Sequence, residues 1–98
     1  MSRMFSKAFE FRGDLSKWDV SNVVDMSDMF RWAKSFNSDV SKWDVSSVTN
    51  MLNMFLNARA FNGDVSKWDV SNVADMTSMF QVGSGVRVQG RQFNTGVL

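Results

Sequence analysis

Four kinds of side chain in this 98-residue chain stand at spacings that suggest chemistry. Ser16-Lys17, Ser41-Lys42 and Ser66-Lys67 pair a hydroxyl with an amine, the ingredients of a Ser-Lys hydrolytic dyad. Asp14, Asp39 and Asp64 form one regularly spaced acidic set and Asp19, Asp44 and Asp69 another, the oxygen donors that a calcium ion would require. Trp18, Trp43 and Trp68 recur like rungs, and a row of exposed indoles would make a platform for sugars or an apolar partner. Arg12-Gly13-Asp14 is the tripeptide that integrins read.

Each has a plainer reading. Adjacent residues on an extended segment point to opposite faces, and an active site does not come in triplicate, so the Ser-Lys pairs argue against an enzyme. Aspartates two residues before a backbone N–H form Asx turns, which would hold the carboxylates without metal, and no unit matches a calcium-binding loop. We expect no cofactor, calcium being the one candidate that the Asp columns would suit. One aromatic at one position of every unit is what packing between units requires. The Arg-Gly-Asp differs from the Asn62-Gly63-Asp64 of a later unit only at its first position and is read as coincidence. Trp32 is another matter, because the equivalent positions hold Asn57 and Val82; it is expected on the surface, in a contact patch.

What must position these groups is a repeat. The segments 11–30, 36–55 and 61–80 align without a gap, and Trp18, Trp43 and Trp68 fall at the same place in each. This gives one domain over 1–98, with units 11–35, 36–60 and 61–80, partial units 4–10 and 93–98, and 81–92 as a loop or insertion rich in Gly and polar groups. Within each unit Val23/Met26/Met29/Phe30, Val48/Met51/Met54/Phe55 and Val73/Met76/Met79/Phe80 follow the i, i+3, i+6, i+7 stripe of a two-turn helix. Asn22, Ser47 and Asn72 stand where caps would, with the preceding Ser21, Ser46 and Ser71 as alternatives. Phe36 and Val40 suggest a short strand, Ser41-Lys42 a corner, and Trp43 with Val45 a second extended piece. The expected fold is therefore an α/β solenoid of about three such units, each a short extended segment plus a short helix, stacked because a single unit cannot bury its own apolar side.

Composition narrows the partners. A formal charge of +1 supplies no field for nucleic acid, and Arg87 and Arg91 are too few to make a phosphate-binding surface. The absence of Cys and His removes disulfides, the usual zinc sites and imidazole catalysis. No apolar run is long enough to span a bilayer, and residues 1–12 lack the apolar core of a signal peptide.

The pattern F-N-x-D-[VL]-S-x-W-D-V-S-x-V-x-[DN]-M-x-x-M-F, written out in residues 36–55 and 61–80, resembles a bacterial surface-protein repeat of about 25 residues, a mycoplasma domain of unknown function related to BspA-type leucine-rich repeats. The resemblance covers residues 4–80 and departs at Arg12, at the inserted Gln81–Gln92 and at Gly96. It implies a right-handed, leucine-rich-repeat-like coil, an extracellular or cell-surface location, a part in adhesion and no enzymatic activity. The expected function is a non-catalytic module for protein or glycan binding, alternatively a structural spacer or assembly subunit within a larger complex. Its candidate surface is Trp18, Trp43, Trp68, Trp32, Lys17, Lys42 and Lys67. Apolar partial units at both ends, with Met4, Phe5 and Phe9 at one and Phe93, Val97 and Leu98 at the other, also predict adjacent repeats or self-association through uncapped ends.

Overall fold

A chain made of near-identical units must satisfy the backbone of each unit either internally or against its neighbour, and here it does both. The computed structural model describes residues 2–80. Inside a unit the tight turns close with i→i+3 hydrogen bonds: Val40 O accepts from Trp43 N–H, Val45 O from Val48, Met51 O from Met54, Asn53 O from Leu56, Phe55 O from Ala58 and Ala58 O from Phe61. Between units alternate N–H groups reach across. Met26, Asp28, Phe30 and Trp32 donate to the carbonyls of Asn50, Leu52, Met54 and Leu56, and Met51, Asn53 and Phe55 donate onward to Asp75, Thr77 and Met79. The parallel bridges Asp25–Asn50 and Asn50–Asp75 belong to the same contact.

This corrects the expected architecture. Among the described residues there is no helix, and the only extended pairing is in isolated bridges, so the chain is not an α/β solenoid of helix plus strand units and the leucine-rich-repeat-like coil does not form. The radius of gyration is 11.8 Å and the extents 31 × 28 × 20 Å, the dimensions of an ordinary globule of about 80 residues, for which ~12 Å is typical. The physical cause lies in the backbone. Asp28, Asn53 and Ser78 take φ of 57°, 57° and 55°, and Trp32 and Asn57 take 63° and 58°. A left-handed residue at the third position of a turn, as in type II geometry, breaks a right-handed helix at that point. The apolar stripe is real, but it runs along consecutive tight turns. With no helix to cap, Asn22, Ser47 and Asn72 have no N-cap role. The expected corner at Ser41-Lys42 is present as the Val40–Trp43 turn.

The core is stacked rings and methionines. Met26, Met29, Phe30, Phe36, Met51, Met54, Phe61 and Met79 are completely buried. Phe5, Phe30, Phe55 and Phe80 form a column with centroids 5.5 Å apart at each step, and Phe11, Phe36 and Phe61 a second at 6.1 and 5.8 Å. The two columns face each other, Phe30 on Phe36 at 3.9 Å and Phe55 on Phe61 at 4.2 Å. The expected loop 81–92 and partial unit 93–98 lie outside the described residues.

Candidate interaction surface

Because the units repeat in constant register, each outward position becomes a column on the surface. Lys17, Lys42 and Lys67 are exposed at the tips of the Leu15–Trp18, Val40–Trp43 and Val65–Trp68 turns. Beside them Asp14, Asp39 and Asp64 each accept the N–H of the serine two residues on, at 2.9, 3.0 and 2.9 Å. Asp19, Asp44 and Asp69 do the same for Ser21, Ser46 and Ser71 at 3.0 Å, and take the serine hydroxyl as well at 2.6 Å. A third column repeats the motif, with Asp25, Asn50 and Asp75 accepting from Ser27, Leu52 and Thr77. The first two columns are the Asx turns that the aspartate spacing predicted; the third stands where the first turn of a helix was expected.

Their electrostatics follow from those bonds. The Ser46 hydroxyl and N–H hold the Asp44 carboxyl below its usual range even though the neighbouring Asp19 and Asp69 charges push it up. The Ser41 N–H and hydroxyl, with Lys42, outweigh Asp14 in the same way at Asp39. Hydrogen bonding to the charged form wins over like-charge repulsion in water, where repulsion is screened. Among the described residues no group of three or more acidic side chains is placed to hold a metal ion.

The tryptophans separate. Trp43 and Trp68 lie in the core, their rings stacked at 6.4 Å and their indole N–H groups donating to the Leu15 and Val40 carbonyls at 2.9 Å. Trp18 in the same column is exposed. Trp32 is half-buried, with the Lys34 ammonium 5.6 Å from its ring centroid and 5.4 Å from that of Phe9. Lys34 thus sits between two aromatic faces in cation–π geometry.

Sequence reasoning missed the ground beside it. An open depression of about 360 Å³ is lined by Arg12, Lys34, Ser35, Asn37 and Ala60. A second, of about 380 Å³, runs from Arg12 and Gly13 to Asp14, Ser38 and Asp39. The Asp14 carboxylate within it accepts from the Ser16 N–H at 2.9 Å and the Ser38 hydroxyl at 3.3 Å. The Arg-Gly-Asp therefore presents an acid already engaged by its own fold. Asp28, buried at a left-handed turn, has Arg3 Nε at 3.8 Å and Arg31 Nε at 3.9 Å. The recurrence of Phe30 at Phe55, and of Phe36 at Phe61, was the signal for the ring columns; nothing in the sequence marks the depressions.

The chain belongs to the family described as Mycoplasma protein of unknown function, DUF285, whose model matches residues 1–94. No curated protein and no solved structure matches it. The mycoplasma side of the resemblance stands; its leucine-rich-repeat side is unsupported, in keeping with the turns found in place of helices. Among the described residues no helix is long and apolar enough to cross a membrane.

Proposed function

We propose that the chain is a non-catalytic repeat module that binds a protein or glycan through its columns of exposed polar side chains, as part of an extracellular or cell-surface protein with a role in adhesion. The observation that carries this reading is the constancy of the exposed set: Lys17, Lys42 and Lys67 alternate with Asp19, Asp44 and Asp69 on turns locked by the same hydrogen bonds in each unit. A surface held rigid in triplicate suits a ligand that itself repeats, because several weak contacts then act together. Lys34, flanked by Phe9 and Trp32 at the edge of the Arg12 depression, adds an aromatic and cationic patch of the kind that sugars and proteins meet. The reading requires neither catalysis nor a cofactor.

The test is a glycan and protein binding screen with the wild-type chain and with a Lys17→Ala, Lys42→Ala, Lys67→Ala triple variant. A ligand bound by the first and lost by the second at unchanged melting temperature is the expected result. Binding that is indifferent to all three lysines, or no binding at all, overturns it.

One observation favours a second reading, that of a structural or assembly unit that joins adjacent repeats or copies. Met4 and Trp18 are exposed although the residues in their columns one unit on, Met29 and Trp43, are buried.

A further inference from the structure

The formal charge of +1 hides a separation of charge. Arg3, Lys7, Arg12, Arg31, Lys34 and Arg59 all fall within 3–12, 28–37 and 53–62, where the only acids are Glu10 and Asp28. Those three segments lie side by side, Lys7 N–H donating to Arg31 O, Trp32 N–H to Leu56 O and Ala60 N–H to Lys34 O. The rest of the described chain sets the columns that begin at Asp14, Asp19 and Asp25 against Lys17, Lys42 and Lys67 alone, and is acidic. A basic band therefore crosses an acidic molecule. Within the band Arg3 and Arg31 lie against Asp28, whereas Arg12, Lys34 and Arg59 are exposed and pair with no carboxylate among the described residues.

The uncommitted cations stand at a shaped place. Phe9, Lys34 and Arg59 share one column and all are exposed, so Phe9 is at the surface in the same way as its counterparts and flanks Lys34 there, with Trp32 on the other side. The depressions of about 360 and 380 Å³ share Arg12 and Asn37 and so form one shallow track. Each volume lies near the lower end of the ~300–1,000 Å³ usual for ligand pockets. The two ends differ in chemistry. The first offers Lys34, Arg12 and Ser35, and the second Asp14, Ser38 and Asp39.

Such a track fits one negative charge joined to a neutral group rich in hydroxyls. The cations receive the charge, while the carboxylates at the other end accept from hydroxyls and repel a second anion. A long polyanion or an anionic membrane would lay further negative charge on the aspartate columns, which disfavours both. The ring faces of Trp32 and Phe9 suit the apolar face of a sugar. We propose that the track binds an oligosaccharide ending in one carboxylate-bearing sugar, its carboxylate at Lys34 and Arg12 and the adjoining neutral sugar along Asn37, Ser38 and Asp39. The inference rests on the glycan side of the reading above and gives it a ligand class and a place; neither depression is lined by Lys17, Lys42 or Lys67.

Heteronuclear NMR of the wild-type chain tests it, with three probes: a disaccharide ending in glucuronate, sialyllactose, and neutral lactose. At least one acidic probe is expected to shift the Trp32 indole signal and to leave those of the buried Trp43 and Trp68 in place, and which acid binds separates a uronate from a sialate. Lactose is expected to bind at least about tenfold more weakly, and Lys34→Gln and Arg12→Gln each to weaken the acidic probe by about tenfold or more at unchanged melting temperature. An unmoved Trp32 signal, lactose or plain acetate binding as tightly as the acidic sugars, or tighter binding of single-stranded DNA or anionic vesicles overturns the inference. Glycan binding that survives Lys34→Gln and Arg12→Gln but is lost in the Lys17, Lys42, Lys67 triple variant overturns it and leaves the proposed function standing. No binding of any glycan or protein overturns both.

Discussion

Replacing Trp68 separates a packing role from a surface role more sharply than any other single change. Its side chain is 1% exposed, its ring stacks on Trp43 at 6.4 Å and tilts against Phe55 at 6.3 Å, and its indole N–H donates to Val40 O at 2.9 Å. Truncating a buried tryptophan to alanine costs ~3–5 kcal/mol, and loss of a buried hydrogen bond adds about 1 kcal/mol. Trp68→Ala should then lose about 4–6 kcal/mol, which is most of the stability of a small domain if that lies near the lower end of ~5–15 kcal/mol. Trp68→Phe keeps much of the ring and forfeits the donor, for about 1–2 kcal/mol. Trp18→Ala, at a position 38% exposed and without the indole bond, should cost about 2 kcal/mol. Urea unfolding followed by fluorescence of the remaining tryptophans measures all three. Equal losses for Trp18→Ala and Trp68→Ala, or a neutral Trp68→Phe, would refute the reasoning, because either result means that the interior tryptophans are not anchored as the geometry has them.

Acid should destabilise the chain. Asp14, Asp19, Asp25, Asp39, Asp44, Asp69 and Asp75 all lie below the ordinary 3.8 when folded, held by the N–H and hydroxyl groups two residues on. Their folded values are depressed, so the contribution is full above the unfolded pKa and is lost as pH falls from near 3.8 through the folded values; a urea midpoint that rises between pH 5 and pH 3 contradicts this. Lys7 is exposed with φ of 61°, and Lys7→Gly should gain up to ~1 kcal/mol by removing the left-handed penalty, while Lys7→Val should lose stability; thermal melts that rank the two the other way refute the assignment. Millimolar calcium should leave the melting temperature unchanged, since the Asp columns are satisfied by Asx turns; a rise of several degrees, abolished by Asp44→Asn, would show that the columns collect metal.

How much of this was legible can be judged from single residues. Trp18, Trp43 and Trp68 at a constant spacing revealed the unit and its copies, and Asp39 before Ser41 revealed the Asx turn, because both depend on local spacing alone. The stripe of Val48, Met51, Met54 and Phe55 points to a helix because a run of i→i+3 turns buries the same positions as a helix over this length. What distinguishes the two is the left-handed backbone at Asn53 and Asn57. Asparagine at those places is a hint, since it enters that region readily. Arg3, Lys7 and Trp32 at the equivalent positions in other units conceal it. The Lys34 site between Phe9 and Trp32 was invisible for another reason. It joins residues from neighbouring units, and only the observed register of the backbone bonds brings them together.

That register also governs how the gene can change length. Met26, Asp28 and Phe30 each donate to the carbonyl just before their own counterpart in the next unit, and the bonds from Met51, Asn53 and Phe55 repeat that offset. Removing or duplicating one whole unit would join positions of the same kind and preserve every bond type, whereas a change of a single residue would turn donors outward and set Phe, Met and Trp against the wrong neighbours. A chain shortened by residues 36–60 is therefore expected to keep the same kinds of backbone bond and ring contact between its remaining units, and one shortened by a single residue is not.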